Sequence, residues 1–285
     1  MYVGGTGEGN YTSIQEAIND AVDGDTIFVF ENSSPYYENV IVNKSIFLIG
    51  ENNETTVIDG NGKENVIYII ADLVYINGFT IKNGGLEYPF AGIQIRSNYN
   101  SIFCNNLENN FYGLNMFYSK NNNIHNNNIL NNNQCGIYLE ESSNNNISGN
   151  LIDGQPYNGI GLYNSSNNNT ILKNTFYNNK FSGVRITLCS GNLIINNMLS
   201  KNLIGVRIEH SSNSKIINNN LIKNTDREAY FVGDIFSIYS NIWDGNYWNK
   251  PRILPKPIFG NSGIIFMLLP WIILDLHPAS ELYQI

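Results

Sequence analysis

The sequence predicts an all-β fold: a right-handed parallel β-helix with three short strands in each coil of about 23 residues. The first observation is a glycine that recurs at intervals of 21, 23, 23, 24 and 22 residues, at Gly92, Gly113, Gly136, Gly159, Gly183 and Gly205. Each glycine is followed by an apolar, a variable and an apolar residue, a Ser/Asn-rich stretch, and the unit Ile-x-x-Asn. Apolar residues that alternate with other residues over such short segments indicate strands. Three strands per copy cannot bury an apolar side unless successive copies stack.

Asparagine columns provide the second observation. The first column is Asn105, Asn127, Asn150, Asn174, Asn197 and Asn219. The second is Asn110, Asn132, Gln155, Asn179, Asn202 and Asn224, and the third is Asn100, Asn122, Asn145, Asn169 and Asn192, completed by Ser214. A turn asparagine tolerates the left-handed conformation, and its amide can bond the asparagine one strand spacing away. A disordered, Asn-rich low-complexity segment is the alternative, but the apolar residues between the asparagines keep strict phase.

The N-terminal end is expected to begin with a cap of about residues 1–25. The segment from Thr12 to Ile18 has the pattern of a capping box that opens a short amphipathic helix. Such a helix would cover the open end of the coil, whose strand edges and apolar interior are otherwise exposed. The strand Thr26–Phe30 and irregular first coils follow, giving about nine or ten coils over a β-helix domain of residues 1–250.

Two segments interrupt this pattern. Residues 84–90, Gly-Gly-Leu-Glu-Tyr-Pro-Phe, are extra chain between coils and should protrude as a loop. Residues 251–285 are predicted to form a C-terminal capping segment, which begins with three prolines within seven residues. The apolar run 264–274 suggests a membrane span, but it is shorter than the roughly 20 residues that a span needs and contains Pro270.

Composition limits the choice of partners. The net charge is −8 and only 14% of residues are charged, so nucleic acid and anionic membrane surfaces are poor partners. The abundant amides and hydroxyls instead suit a polysaccharide or other glycan. Cys104, Cys135 and Cys189 lie in different columns and are odd in number, so no disulfide framework is implied. The first residues lack the features of a secretory signal, although an upstream signal could have been removed.

The repeat phrases resemble those of a known superfamily. The stretch from Tyr37 to Gly50, the Thr56-Val-Ile-Asp-Gly60 segment, the Gly-Ile-x-Leu coils and the Asp-Gly-Asn-Tyr-Trp ending at Trp248 are similar to pectate-lyase-like right-handed β-helices. The closest similarity is to the NosD-like group with its carbohydrate-binding and sugar-hydrolase (CASH) repeats. This resemblance covers roughly residues 2–250. It implies the fold and an extracellular, cell-surface or periplasm-like location, whereas members of such families include binding, structural and catalytic proteins.

One candidate catalytic pair lies on the strand after the first asparagine column. Glu108 and Asp153 are predicted to face outward two coils apart, about 9.6 Å between backbones. Inverting glycosidases separate their carboxyl groups by about 6.5–9.5 Å, so a polysaccharide hydrolase, lyase or epimerase is geometrically permitted. However, Asp153-Gly154 is also an ordinary turn dipeptide. The catalytic motifs of polygalacturonases, pectate lyases and pectin methylesterases are absent from the sequence.

A binding constellation is predicted on another face. Arg185 and Arg207 occupy the same place in consecutive Gly-Val-Arg-Ile phrases, about 5 Å apart, and two guanidinium groups at that spacing can grip a carboxylate or sulfate on an acidic sugar. The alternative is a solvated edge with Arg207 paired to Glu209. Tyr138 is expected to stand outward near Phe117. We expect a shallow groove with Arg96, Tyr138, Arg185 and Arg207 on its floor and Tyr88 and Phe90 as one wall, unless the loop folds back into the core.

Copper is a third possibility, which the resemblance implies because members of that group are named periplasmic copper-binding proteins that serve nitrous-oxide reductase. Soft copper sites need convergent Cys, Met and His. Met116 should point inward, and His125 and Cys104 lie in different columns, so we predict no metal site and no cofactor. The preferred function is a secreted or cell-surface carbohydrate-binding or structural solenoid without catalysis. A polysaccharide enzyme and a copper-associated accessory protein remain the alternatives.

Overall fold

The computed structural model describes residues 1–264 and 267–285 and shows a right-handed parallel β-helix. Three sheets of 11, 11 and 10 strands run along the axis, and each strand pairs in parallel with its counterpart one coil away, except in the antiparallel hairpin of the last two strands. The predicted fold class is confirmed. The expected nine or ten coils are too few, because the irregular N-terminal segments and the C-terminal segment also add strands, giving about 11.

The strands alternate among the three sheets in chain order. The first sheet contains Tyr2–Val3, Thr26–Val29, Phe47–Gly50, Tyr75–Asn77, Ser101–Phe103, Asn123–His125, Asn146–Ser148, Thr170–Leu172, Leu193–Ile195, Lys215–Ile217 and Ile242–Asp244. The second contains Tyr36–Tyr37, Val57–Lys63, Thr80–Gly84, Asn106–Glu108, Asn128–Leu130, Leu151–Asp153, Thr175–Tyr177, Met198–Ser200, Asn220–Ile222 and Tyr247–Trp248. The third contains Val40–Val42, Ile67–Ile69, Ala91–Ile95, Tyr112–Phe117, Ile137–Glu140, Ile160–Tyr163, Ser182–Thr187, Ile204–Glu209, Arg227–Gly233, Lys256–Ile264 and Met267–Asp275.

The N-terminal helix α1, Ile14–Asp20, covers one end of the coil, and its Ile14, Ala17 and Ile18 are buried. Ser13 is the N-cap and its hydroxyl accepts a bond from the Glu16 N–H. The carboxylate of Glu38 accepts from the N–H groups of Ile14 and Gln15, at 2.8 and 2.9 Å. A helix start leaves such donors without intrahelical partners, so a residue of the first coil fastens the cap to the solenoid.

The interior is filled by apolar side chains that repeat once per strand, and one continuous core runs from Val3 to Ile273. Beside it, the predicted asparagine columns form buried hydrogen-bond ladders. Asn127 donates its backbone N–H and its Nδ2 to Oδ1 of Asn150, at 2.9 and 3.0 Å. Asn150 makes the same pair of bonds to Asn174, both at 2.9 Å. Buried amides without partners would destabilise the folded state, and these bonds give each amide its donors and acceptors.

Two of these ladders end on a carboxylate. In the first, Asn246 follows Asn219 and donates its N–H and Nδ2 to Oδ2 of Asp275, at 3.0 and 3.1 Å. In the second, Asn224 donates its Nδ2 to Glu228. Glu228 is paired in register with Gly205, so it takes the position that the recurring glycine holds in the six preceding coils. Neither ending was predicted.

The C-terminal end carries a second short helix, α2 at Ile235–Ser240, and an antiparallel hairpin formed by the two last strands of the third sheet. The first hairpin strand pairs in parallel with Arg227–Gly233, so the hairpin extends the sheet. Ile258 and Ile273 belong to the core. In the apolar run 264–274, residues 265 and 266 lie outside the described residues. None of the helices in the described part of the chain is long and apolar enough to cross a membrane.

Candidate functional site

The outward side of the third sheet carries one large polar or aromatic residue from almost every coil. The register aligns a single outward column, namely Tyr68, Gln94, Asn115, Tyr138, Gly161, Arg185, Arg207 and Tyr230. A neighbouring outward column contains Phe117, Glu140, Tyr163, Thr187 and Glu209. We call the outward surface from Arg96 to Tyr230 the aromatic face. It spans six strand spacings, or roughly 29 Å.

Tyrosine rings stack along this face in successive coils. The ring centroids of Tyr112 and Tyr138 are 4.8 Å apart, and those of Tyr138 and Tyr163 are 5.0 Å apart. Burial, together with the Tyr138 hydrogen bond to Glu140, raises the pKa of Tyr138 above its usual value. Gly161 makes this packing possible, because a Cβ there would lie 2.4 Å from the Tyr163 ring. The rings therefore bury their faces against each other, while the Tyr138 hydroxyl donates to Glu140 and the Tyr163 hydroxyl accepts from the buried Asn158.

Arg185 and Arg207 lie side by side in register, as predicted, and Glu209 binds both. Arg185 donates Nε and Nη2 to Oε2 of Glu209 at 2.9 and 2.6 Å, and Arg207 donates Nε and Nη2 to Oε1 at 2.8 and 2.5 Å. Burial by itself would raise the pKa of Glu209, but the two guanidinium groups have the larger combined effect, so the pKa is lowered. The sequence predicted only the pair between Arg207 and Glu209. Since each guanidinium carries five N–H donors, both arginines keep donors beyond these bonds.

Aromatic rings support the two arginines from the sides. The Arg185 guanidinium lies 5.7 Å from the ring centroid of Tyr163 and 5.8 Å from that of Phe181. Arg207 lies 5.3 Å from Phe181 and 5.4 Å from Tyr230. Arg185 and Arg207 are about one-fifth exposed, at 18% and 22% of their side-chain surface. Their orientation is fixed before any ligand arrives, which lowers the entropic cost of binding.

The inserted loop lies beside the face instead of contributing to the core. Tyr88 is 58% exposed and packs edge-on against Phe117, with ring centroids 6.2 Å apart. The Pro89 carbonyl accepts from the side-chain amides of Gln94 and Asn115, which attaches the loop to the outward column. Phe90 lies away from this contact and lines a cavity behind the loop. Of the two predicted wall residues, only Tyr88 therefore borders the aromatic face.

Arg96 is placed at the N-terminal end of the face. It is exposed, follows the inward Ile95, and its guanidinium lies 5.2 Å from the Phe117 ring centroid. Gln94, and not Arg96, shares the column of Tyr138, Arg185 and Arg207. The structure thus brings Tyr88, Arg96 and Tyr138 together around Phe117, and it places Arg185 and Arg207 two and three coils further along.

Glu108 and Asp153 lie on the second sheet, away from the aromatic face. The register joins Glu108 to Leu130 and Leu130 to Asp153, so the carboxyl groups are two coils apart in one outward column, as predicted. The same column continues to Lys82 on one side and to Tyr177 on the other. Partial burial raises the pKa of Asp153. Leu130 separates the two carboxyl groups.

The donors that a copper ion would need are dispersed. Met116 is buried in the core, and burial raises the pKa of Cys135 to about 12 and that of Cys189 to about 11. His125 stacks on Phe103 at a centroid distance of 4.9 Å. Within residues 1–264 and 267–285, no three His, Cys, Asp or Glu side chains are close enough to hold a metal ion. The residues present therefore do not fit a copper site of this kind.

Comparisons with known proteins agree with this architecture. Residues 18–253 match a family model described as "Periplasmic copper-binding protein (NosD)". A search of curated proteins finds no match. Among solved structures, the A-module of the mannuronan C-5 epimerase AlgE4 from Azotobacter vinelandii has a TM-score of 0.57 at 16% identity, covering 87% of this chain and 88% of that one.

Two further structures share the fold. The enzymatically active domain of tailspike protein 2 from bacteriophage CBA120 has a TM-score of 0.58 at 14% identity, covering 90% of this chain and 41% of that one. The periplasmic alginate epimerase AlgG has a TM-score of 0.50 at 14% identity, covering 78% of this chain and 67% of that one. At such identities the similarity establishes the fold alone.

Proposed function

The chain belongs to the NosD family of β-helix proteins, and from this premise we propose that it is a secreted, cell-surface or periplasmic protein that binds polysaccharide without catalysis. The observation that carries the proposal is the aromatic face. Its aromatic rings and guanidinium groups lie at multiples of one strand spacing over roughly 29 Å, so successive units of an extended chain can meet aromatic or cationic side chains along it.

The chemistry of the face suits sugars. Sugar hydroxyl groups need donors and acceptors in close alternation, and here Arg185 and Arg207 supply donors while the Tyr138 hydroxyl and the Glu140 carboxylate supply acceptors. Because the tyrosine rings stack on one another, a ligand would contact their edges and the arginine N–H groups. Glu209 already balances one guanidinium charge, which leaves the trio with a net positive charge that favours glycans bearing carboxylate or sulfate groups.

The comparisons support this class of ligand indirectly. Two of the similar structures are epimerases of mannuronan and alginate, which are polysaccharides. The family description refers to the periplasm, in keeping with an extracytoplasmic glycan as partner. The dispersed Cys, His and Met side chains give the copper-associated role less support than the glycan-binding role.

A glycan array tests the proposal, with binding and release of reducing ends measured for every hit. We expect saturable binding of at least one polysaccharide, preferably an acidic one, without release. Replacing Arg185 and Arg207 together by alanine should weaken that binding at least tenfold. Tyr177→Ala, on the outward column of the second sheet, is the matched control and should bind like the unmodified protein. Equal affinity in the arginine variant and the control would place the site elsewhere.

A polysaccharide-acting enzyme is the second candidate, and the raised pKa of Asp153 is the observation that favours it. A carboxyl group that stays protonated to higher pH is suited to act as a general acid, with Glu108 as the partner carboxylate two coils away. The test is turnover of each glycan that the array identifies. Activity that disappears in both Asp153→Asn and Glu108→Gln, with binding retained, would replace the non-catalytic proposal by this one.

A further inference from the structure

A cavity of about 470 Å³ opens where the aromatic face meets the C-terminal hairpin. Its wall comes from the start of the strand Arg227–Gly233, the turn before it and the first residues of the hairpin strand Lys256–Ile264. The guanidinium of Arg227 lies 4.9 Å from the ring centroid of Tyr230, and that of Arg207 lies 5.4 Å from the same ring. The cavity therefore adjoins the last ring of the aromatic face, and its volume is typical of a site for a small molecule.

Lys256 brings an ammonium group without a partner to this cavity. The residue is half-buried, and its ammonium lies 5.8 Å from the ring centroid of Trp248. Among residues 1–264 and 267–285 it makes no ion pair and donates no hydrogen bond. Burial lowers the pKa of Lys256 most, the charge of Arg252 lowers it further, and Glu228 opposes the shift. A half-buried ammonium without an acceptor is unfavourable, so an acceptor on a ligand would be stabilised here.

Glu228 supplies a carboxyl group to the same cavity. It stands where the six preceding coils have glycine, and its Oε2 accepts from Nδ2 of Asn224. Burial raises the pKa of Glu228. A carboxylate has about four acceptor sites, so Glu228 can also accept from a ligand. No ion pair joins Glu228 to Lys256 in the described part of the chain, so one molecule can meet both groups.

A sugar acid carries both complementary groups, because its carboxylate can accept from Lys256 while its ring hydroxyls donate to Glu228. A neutral sugar lacks the anion, and a simple carboxylate such as acetate lacks the hydroxyls. Arg227 keeps N–H donors beyond its bond to Asp226. Phe259 lines the cavity and is 56% exposed, so it offers an apolar surface to the sugar ring.

We propose that this cavity binds one hexuronate unit, with its carboxylate on Lys256 and a hydroxyl group on Glu228, and that this unit is the terminal one of an acidic glycan on the aromatic face. The position of the unit within a glycan rests on the proposed function, whereas binding of the single sugar acid does not. The hairpin strands are the last of the third sheet, so the cavity lies where a glycan following that sheet would end.

Free hexuronates test the assignment on the full chain, each beside its neutral counterpart: glucuronate with glucose, mannuronate with mannose, and galacturonate with galactose. Isothermal titration should show one-to-one binding of at least one hexuronate. Its affinity should exceed that of the neutral sugar and of acetate by about tenfold or more. Absence of saturable binding of all three hexuronates would overturn the proposal. Equal affinity for acetate would also overturn it, because acetate has no hydroxyl group for Glu228.

One substitution tests the assigned ammonium group. Lys256→Met removes a half-buried charge that has no partner, so the variant should fold, and its affinity for the hexuronate should fall about tenfold or more. Lys250→Met changes an exposed lysine outside the cavity and is the matched control, which should bind like the unmodified protein. Unchanged hexuronate binding in a Lys256→Met variant shown to be folded by circular dichroism would contradict the site.

The glycan array separates this proposal from the proposed function. If no glycan binds on the array while a free hexuronate binds in a manner that depends on Lys256, the proposed function fails and the site for the single unit stands. If glycans bind and no free hexuronate does, the proposed function stands and the cavity assignment fails. For an acidic glycan found on the array, the free hexuronate should compete with it, and absence of competition would contradict the terminal position of the unit.

Discussion

Replacing Asn150 by alanine tests whether the buried ladders hold the coils together. Oδ1 of Asn150 accepts from the N–H and Nδ2 of Asn127, and its Nδ2 donates to the Ile124 carbonyl and to Asn174. The substitution leaves the Asn127 N–H without an acceptor and removes the side-chain donor from the Ile124 carbonyl. At about 1–3 kcal/mol for each buried group left unpaired, the expected loss in free energy of unfolding is about 2–6 kcal/mol.

The matched control is Asn128→Ala, which changes the residue that follows Asn127 and pairs with Leu151. Asn128 is exposed, and its Nδ2 makes one hydrogen bond, 3.0 Å long, to Asn106. Surface substitutions of this kind usually change stability by about 0.5 kcal/mol or less. Both variants keep the strand backbone, so they differ mainly in the buried bonds.

Native-state hydrogen exchange at the Asn127 amide is the sharpest assay, because a solenoid can open locally without unfolding as a whole. A loss of about 4 kcal/mol corresponds to roughly a thousandfold faster exchange at that amide. Urea denaturation of both variants provides the global value. If the two variants unfold within 1 kcal/mol of each other and the Asn127 amide keeps its protection, the ladder does not stabilise the fold as reasoned here.

Three further predictions concern single residues. Asp275→Ala removes the acceptor at the end of the first ladder and should lower the melting temperature and shift tryptophan emission to the red, whereas unchanged emission would mean that the hairpin stays docked without it. Glu209→Gln should destabilise by about 2 kcal/mol at pH 7. Although burial opposes its charge, the guanidinium groups lower the pKa of Glu209. The contribution of Glu209 to the free energy of unfolding is therefore present above the unfolded pKa of about 4.3 and is lost as pH falls through the folded pKa. The urea midpoints of Glu209→Gln and the unmodified protein should converge at that low pH. Gly161→Ala should displace the Tyr163 ring and weaken glycan binding at least tenfold with the circular dichroism spectrum preserved, and full binding would show that the stack is dispensable.

The repeat explains what could be predicted. A fixed period determines which residues stack, so the asparagine ladders and the alignment of Glu108 with Asp153 followed directly from residue spacing. Arg185 and Arg207 were also placed in register. Each of these alignments depends only on the position of a residue within its coil, and the recurring glycine and apolar residues define that position.

What the sequence did not predict depends on departures from the repeat. Arg96 is an exception, because the repeat itself assigns Gln94, two residues after Gly92, to the arginine column, and Arg96 was nevertheless expected on the same floor. Asp275 reaches the first ladder from a hairpin that has no repeat phrase. Glu228 could have been found, because it stands 23 residues after Gly205, where a seventh glycine would continue the column. The Glu209 bridge to both arginines required side-chain geometry that spacing does not supply.

The asparagine ladders also give the solenoid an electrical polarity. In each rung the backbone N–H and one Nδ2 hydrogen point toward the C-terminal coil and Oδ1 points back, so the amide dipoles add along the axis as they do in an α-helix. Asp275 and Glu228 place negative charge at the positive ends of two such rows. A second solenoid could continue these rows only head to tail, and the acceptor positions that it would occupy are already filled. The two carboxylates thus terminate these two ladders and satisfy their last donors.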